Sequence, residues 1–135
     1  MLFILYICFG FAFLSYTNAV LESGVKIILE ETKLESFIKN ADFVITGEGR
    51  LDGQTVMGKA PIGVAEIAKK YEKKVLAFGG CVAEDATLCN QYGIDAFFPI
   101  LRTVTTLKEA MDFNHAKENL SAAVEQVFRL IQSFE

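Results

Sequence analysis

The segment Asp42–Lys59, DFVITGEGRLDGQTVMGK, restricts the fold more than any other part of the chain. It opens on Phe43-Val44-Ile45, a short apolar run rich in β-branched residues and bounded by polar ones, which predicts a buried strand over 42–46. Glycines follow at 47, 49, 53 and 58, interleaved with Glu48, Arg50, Asp52 and Lys59. That spacing predicts a loop over 47–59 in which backbone can approach a ligand closely and two carboxylates face two cations. Pro61 then suits the first turn of a helix, where its missing N–H has no partner to lose.

The chain downstream repeats this alternation. A helix is expected to Glu72, with Ile62, Ala65, Ala68 and Tyr71 facing inward and Lys73-Lys74 closing it. Val75-Leu76-Ala77-Phe78 predicts a second buried strand ending in Gly79-Gly80. A helix over 84–91 is stopped by Gly93, and Asp85 is a candidate cap for it. Ala96–Ile100 predicts a third strand, with Pro99 at its end or edge. A short helix at 106–112 precedes a long one capped by Asn114, along which Leu120, Val124, Val127, Ile131 and Phe134 form one stripe. Upstream, Val25–Leu29 is apolar but ambiguous in type, and Thr32-Lys-Leu-Glu35 matches a capping box that would open a helix ending near Asn40. The order strand–loop–helix–strand–helix–strand–helix predicts a parallel sheet with helices on its faces.

Composition narrows the function classes. A chain of 135 residues is one domain's worth. A formal net charge of −4 excludes the basic footprint a nucleic-acid partner requires. Cys8, Cys81 and Cys89 are odd in number and lack metal spacing, so they are expected to stay reduced in the cytosol. Mean hydropathy is +0.33, raised by Met1–Leu14, which holds no charged side chain. Three readings of that start stand side by side. A membrane span needs about 20 apolar residues, and the run ends too early; a secretory signal over 1–19 fits in length but lacks a basic n-region. The preferred reading is a core helix whose partner elements lie outside this chain. On either of the other readings, the chain would be a secreted or membrane-tethered binding module.

Two phosphate motifs are nearly present. Gly47–Gly53 misses GxGxxG by one residue. Gly53–Lys59 matches GxxxxGK, but Ala60 stands where Ser or Thr would hold magnesium, and the match lies too far beyond the strand. Neither motif is assigned, yet glycine-rich backbone beside Arg50, Lys59 and a helix N-terminus suits an anion. Glu48 and Asp52 add what a phosphoryl-transfer site uses, since a carboxylate can orient a hydroxyl or hold Mg²⁺. The competing reading of Glu48–Arg50–Asp52 is a surface ion-pair cluster bracing a loop. His115 has no partner in sequence reach, Cys81 is expected to be a buried inert thiol, and Phe11, Phe13, Phe97, Phe98 and Phe128 are expected in the core.

The string ADFVITGEGRLDGQTVMGKAPIGVA (41–65) resembles the signature of the bacterial-type glycerate kinases, the glycerate 2-kinase family, which phosphorylate D-glycerate with ATP. The similarity continues through VLAFGG (75–80), YGIDAFFPI (92–100) and the terminal helix, and upstream through residues 10–30. The resemblance implies a three-layer α/β/α, Rossmann-like parallel sheet, incomplete because the N-terminal strands of the family are missing. It implies an apolar segment at 1–19 and the C-terminal α/β portion of such a kinase at 20–135. It further implies ATP and Mg²⁺ as cofactors, glycerate as substrate, a cytoplasmic location, and no nucleic-acid or membrane partner. A homo-oligomer or the missing N-terminal portion is the protein partner it suggests. Carried to matched positions, Glu48, Arg50 and Asp52 become catalytic candidates, with Glu48 and Asp52 as Mg²⁺ ligands. Gly47, Gly49, Gly53, Gln54, Thr55 and Lys59 become candidates for binding substrate or phosphate. Arg50 would neutralise a carboxylate or phosphate oxygen. The alternative is a non-catalytic fragment that needs a complementary N-terminal chain.

Overall fold

A computed structural model describes residues 2–134, with side chains from Phe9 onward; the thiol of Cys8 lies outside the described residues. Helix α1 (Leu2–Tyr16) is followed by α2 (Gly24–Glu31) and α3 (Leu34–Ile38), then β1 (Phe43–Leu51) and a 3-10 turn at Thr55–Met57. Next come α4 (Ala60–Lys70), β2 (Lys74–Val82), a 3-10 run over Glu84–Tyr92 and β3 (Ala96–Pro99). The short α5 (Leu107–Ala110) and the long α6 (Phe113–Gln132) complete the chain. The three strands form an open parallel sheet in the order β1-β2-β3.

Each face of the sheet has its own apolar layer. Val44, Val75 and Ala77 point to the side of α4, where Ile62, Ala65 and Ala68 meet them with Leu51, Ala86, Cys89 and Ile94. Leu76 and Phe78 point the other way and pack under Val127, with Val124 and Ile131 beside it. The expected α6 stripe therefore packs over Val124, Val127 and Ile131, but Leu120 is exposed and Phe134 lies beyond the helix, also exposed. Phe78 stacks on Phe98, which packs in the core as expected, whereas Phe128 is half-buried and meets Phe43 edge-on. Phe97 packs on the α4 side.

The main departure from expectation lies at the glycines. The strand expected over 42–46 runs to Leu51, so Gly47, Glu48, Gly49 and Arg50 belong to β1 rather than to a loop. The cause is β2, which also continues through Gly79-Gly80 to Val82 and pairs Glu48 with Gly79 and Arg50 with Cys81. Backbone groups that would otherwise need water find partners in this longer ladder. The two strands approach so closely that a Cβ at Gly47 would lie 2.6 Å from the Phe78 carbonyl oxygen, and one at Gly80 would lie 2.7 Å from that of Gly49. Glycine here permits pairing rather than looping.

Other corrections are local. The 25–29 run is helical, so Thr32 falls at the C-cap of α2 and its hydroxyl donates back to the Ile28 carbonyl at 2.7 Å. Glu35, expected to reach that cap, instead accepts a hydrogen bond from the Tyr71 hydroxyl. The α4 helix ends at Lys70 rather than Glu72, which sits at φ +54° in the turn to β2. The 84–91 segment winds as 3-10 helix with Ala83, not Asp85, at its N-cap, and Gly93 ends it at φ +96°. Asp112 caps α6 in place of Asn114, its Oδ1 accepting from Asn114 N–H and His115 N–H. A full capping box does occur, but at Thr106 and Glu109 at the start of α5.

The apolar start is helical, and Phe11 and Phe13 are exposed on α1 rather than in the core. Among the described residues, no helix is long and apolar enough to cross a membrane.

Candidate active site at the end of β1

β1 and β2 finish level, and Ala83 N–H donates to the Leu51 carbonyl at 2.9 Å to continue their ladder. The chain leaves β1 at Asp52 and re-enters regular structure at the N-terminus of α4, with Lys59 at its N-cap and Pro61 in its first turn. Thr55, in the 3-10 turn between them, is a fully buried polar residue at 0% exposure. Its hydroxyl accepts from Asp52 N–H at 3.1 Å and lies 3.4 Å from Glu48 Oε2 and 3.5 Å from Asp52 Oδ1. One hydroxyl proton serves one carboxylate at a time, so Thr55 ties the turn to the carboxylates from beneath.

The charged groups meet above it. Lys59 Nζ lies between the carboxylates, 3.2 Å from Glu48 Oε1 and 3.5 Å from Asp52 Oδ1. Arg50 Nε donates to Asp52 Oδ2 at 3.1 Å, and Gln54 N–H donates to Asp52 Oδ1 at 3.0 Å. Partial desolvation pushes the Asp52 carboxyl up, but the Lys59 charge, Gln54 N–H and Arg50 outweigh it, so it titrates below its ordinary range. The hydrogen bond to Glu48 holds the Lys59 ammonium above its ordinary value against desolvation, with the charges of both carboxylates assisting. Asp52 and Lys59 thus each favour the charged form of the other. Arg50 is the freest of the four charged groups, its side chain 62% exposed against 16% for Asp52.

Of the residues singled out in sequence, Glu48, Arg50, Asp52, Gln54, Thr55 and Lys59 are therefore brought together. Gly53 lies in the turn, while Gly47 and Gly49 lie back along β1. Asp85 was missed as a neighbour of this site. A Cβ at Gly53 would stand 2.6 Å from its Oδ2, so the carboxylate packs against the turn. No local motif marks it; the equal reach of β1 and β2 is the signal that brings residues 83–85 against 51–53. Cys89 lies beneath, its Sγ 4.0 Å from the Asp52 carbonyl, and burial raises its thiol pKa. Cys81, expected buried, is exposed. His115 sits 3.8 Å from Asp112 on α6, away from the cluster.

A family model described as the glycerate kinase family matches residues 8–132. The chain belongs to the glycerate kinase family. It is 42% identical over 118 residues to the glycerate kinase of Bacillus subtilis (strain 168), covering 87% of this chain and 30% of that protein. It is 43% identical over 114 residues to the glycerate 2-kinase of Escherichia coli (strain K12), covering 84% of this chain and 29% of that protein. A crystal structure from Salmonella typhimurium LT2, assigned provisionally as glycerate kinase 2, superposes with a TM-score of 0.63 at 34% identity. That superposition covers 92% of this chain and 30% of the other. The chain thus spans about 30% of the length of these glycerate kinases, and the match includes most of α1.

Proposed function

We propose that this chain forms one wall of the active site of an ATP-dependent glycerate kinase. The observation that carries the reading is the convergence of Glu48, Asp52, Lys59 and Arg50 at the C-terminal ends of parallel strands and at the N-terminus of α4. Ligands in open α/β sheets collect at that edge, and a helix N-terminus with adjacent cations favours phosphate. Lys59 and the first turn of α4 are assigned to phosphate oxygens. Arg50, tied to one carboxylate and otherwise exposed, is assigned to the carboxylate of glycerate or to a phosphate oxygen. Gly53 and the backbone of Gln54 shape the turn around them.

In the transfer, the glycerate hydroxyl oxygen bonds to the γ-phosphorus of ATP and the bond from that phosphorus to the bridging oxygen of ADP breaks. The hydroxyl proton passes to a carboxylate, for which Asp52 and Glu48 are the available bases. Thr55 is assigned a positioning role, because a fully buried hydroxyl is out of reach of substrate but can hold one or the other carboxylate. Among the described residues no group of three or more His, Cys, Asp or Glu side chains is gathered as a metal cage. Magnesium nevertheless needs only one or two carboxylates when phosphates and waters complete its shell. Glu48 and Asp52 fit that donor set, and the pairing of both with the Lys59 ammonium supports a positive charge at that place. Bound there, Mg²⁺ would offset phosphate charge.

The family match from residue 8 supports reading the later part of α1 as part of the kinase fold. The test is Arg50→Ala and Asp52→Ala at the equivalent positions of a complete relative. Each is expected to lower kcat/KM for ATP-dependent glycerate phosphorylation by about 10²-fold or more. Unchanged values in both variants would overturn the assignment.

A further inference from the structure

We infer that the groove between β1 and α6 receives the adenosine of ATP, so that the nucleotide runs along one sheet face and ends at the charged cluster. α6 meets β1 at Phe43, through Phe128, but leaves Ile45 48% exposed farther along the strand. Ile45, Gly47 and Gly49 alternate with their neighbours along β1, and all three are exposed. With Gly80 of β2 they line a groove of about 690 Å³ whose walls include Phe78, Met111 and Phe113. Gly49 stands apart from the other glycines there. Those at 47 and 80 are required by close backbone of the neighbouring strand, whereas a Cβ at 49 would meet nothing within 4 Å. Nor does Gly49 adopt a positive φ. Glycine weakens a strand, and one without a local need marks a place where another group approaches the backbone closely.

The occupant follows from where the groove leads and what lines it. Glu48 belongs both to the groove and to the charged cluster, where its Oε1 lies 3.2 Å from Lys59 Nζ. A molecule with its phosphates at Lys59 and the N-terminus of α4 can therefore extend along the groove. The cavity has the size of a small-molecule site and pairs an apolar lining with a few polar groups, as such sites do. A purine laid on the bare backbone of Gly49 faces Met111 and Phe113, each 77% exposed. Asn119, half-buried in the wall, offers an amide donor and a carbonyl acceptor. Adenine presents the matching acceptor and donor at N7 and the 6-amino group, whereas guanine presents two acceptors there. The cavity that reaches Gly58, about 360 Å³ between α2 and α4, is rimmed by Lys26, Glu30, Glu66 and Lys70 and suits a flat neutral base poorly. The choice of ATP rests on the kinase reading; the groove and its bare glycine do not.

The experiment titrates the isotope-labelled full chain separately with adenosine, guanosine, ATP and inorganic tripolyphosphate, and follows its amide resonances by NMR. Adenosine is expected to move the amides of Gly47, Gly49 and Gly80 and the side-chain amide of Asn119, binding about tenfold more tightly than guanosine. Tripolyphosphate is expected to move those of Lys59 and Ala60 instead. Gly49→Val, whose Cβ has open space, should keep the amide pattern of the fold and weaken ATP binding by about tenfold or more. Its response to tripolyphosphate should be unchanged. Asn119→Asp should abolish the preference for adenosine, while Lys117→Glu, outside the groove, keeps it. Adenosine that leaves the glycine amides in place, or that binds Gly49→Val as well as the unsubstituted chain, overturns the inference. A preference that survives Asn119→Asp overturns the choice of adenine. Shifts of the same amides on raising the protein concentration without nucleotide also overturn it, since the occupant is then a second copy. Adenosine in the groove with no response to tripolyphosphate at α4 upholds the nucleoside site and counts against the phosphotransfer reading alone. The reverse pattern counts against the nucleoside site alone.

Discussion

The two faces of the sheet are built to different degrees of completion. On the α4 face, Val44, Val75 and Ala77 are covered from end to end by Ile62, Ala65, Ala68 and the 3-10 run, and the polar Thr55 is sealed beneath the turn. On the other face, α6 closes over Leu76 and Phe78 while Ile45 stays open. The closed face fixes the geometry of the charged cluster. The open face stabilises little by itself and is available to a ligand. Rigidity and recognition are thus divided between the two sides of one three-stranded sheet, with β1 shared by both.

The largest expected effect tests that division directly. Leu51 is fully buried, so Leu51→Ala should cost about 3 kcal/mol through lost transfer energy and the cavity left behind. Ile45→Ala, six residues earlier on the same strand, should cost under about 1 kcal/mol in this chain because its side chain is half in water already. Urea denaturation of the two variants decides the matter. Similar losses would mean that the open face is closed in solution.

Glycines offer a second contrast within β1. A Cβ at Gly47 collides with backbone, the Phe78 carbonyl oxygen at 2.6 Å, whereas one at Gly49 meets nothing within 4 Å. Gly47→Ala should therefore push the strands apart and destabilise by about 1–3 kcal/mol, the range for overpacking. Gly49→Ala should be neutral or stabilise by up to about 1 kcal/mol, through lower entropy of the unfolded chain. Thermal melts of the pair give the sign. Thr55→Val comes next, since it strands the Asp52 N–H in a buried turn, at about 1–3 kcal/mol. Thr55→Ser should restore most of that loss.

These contrasts also show what was legible in the residues alone. The parallel α/β alternation, Pro61 at a helix start, Gly93 at a stop and the α6 stripe from Val124 to Ile131 all follow from local pattern, and the structure has them. The grouping of Glu48, Arg50, Asp52 and Lys59 was visible because all four lie within one short stretch. The strand through Gly47–Leu51 was not, because glycine weakens strand propensity and only pairing with an equally glycine-rich β2 reveals it. Asp85 was hidden for a related reason, since its place beside Gly53 depends on the register between strands. The Thr32 capping box failed because α2 had already claimed Thr32 at its other end. The buried Cys81 and the buried Phe11 and Phe13 were inferred from hydrophobic character alone, which does not say whether a covering element is present.

The smallest expected effect concerns α5, which walls the open groove and is held by its cap more than by burial. Glu109 Oε2 accepts from Thr106 N–H at 3.0 Å, from the Thr106 hydroxyl at 2.7 Å and from the Thr105 hydroxyl at 2.9 Å. Those bonds, the Thr106 N–H foremost, lower its carboxyl pKa to about 2. The folded value lies below the ordinary 4.5, so the capping contribution is complete above that ordinary value. It declines as pH falls from there towards 2 and is lost below it. The amides of Leu107–Ala110 should accordingly lose exchange protection across that window, more than those of α4, whose buried Ile62, Ala65 and Ala68 do not titrate. Glu109→Gln removes the titrating group and should flatten the α5 response. A profile that stays pH-dependent in that variant would mean that packing against the groove, rather than the cap, holds α5, and the contrast between the two faces would weaken accordingly.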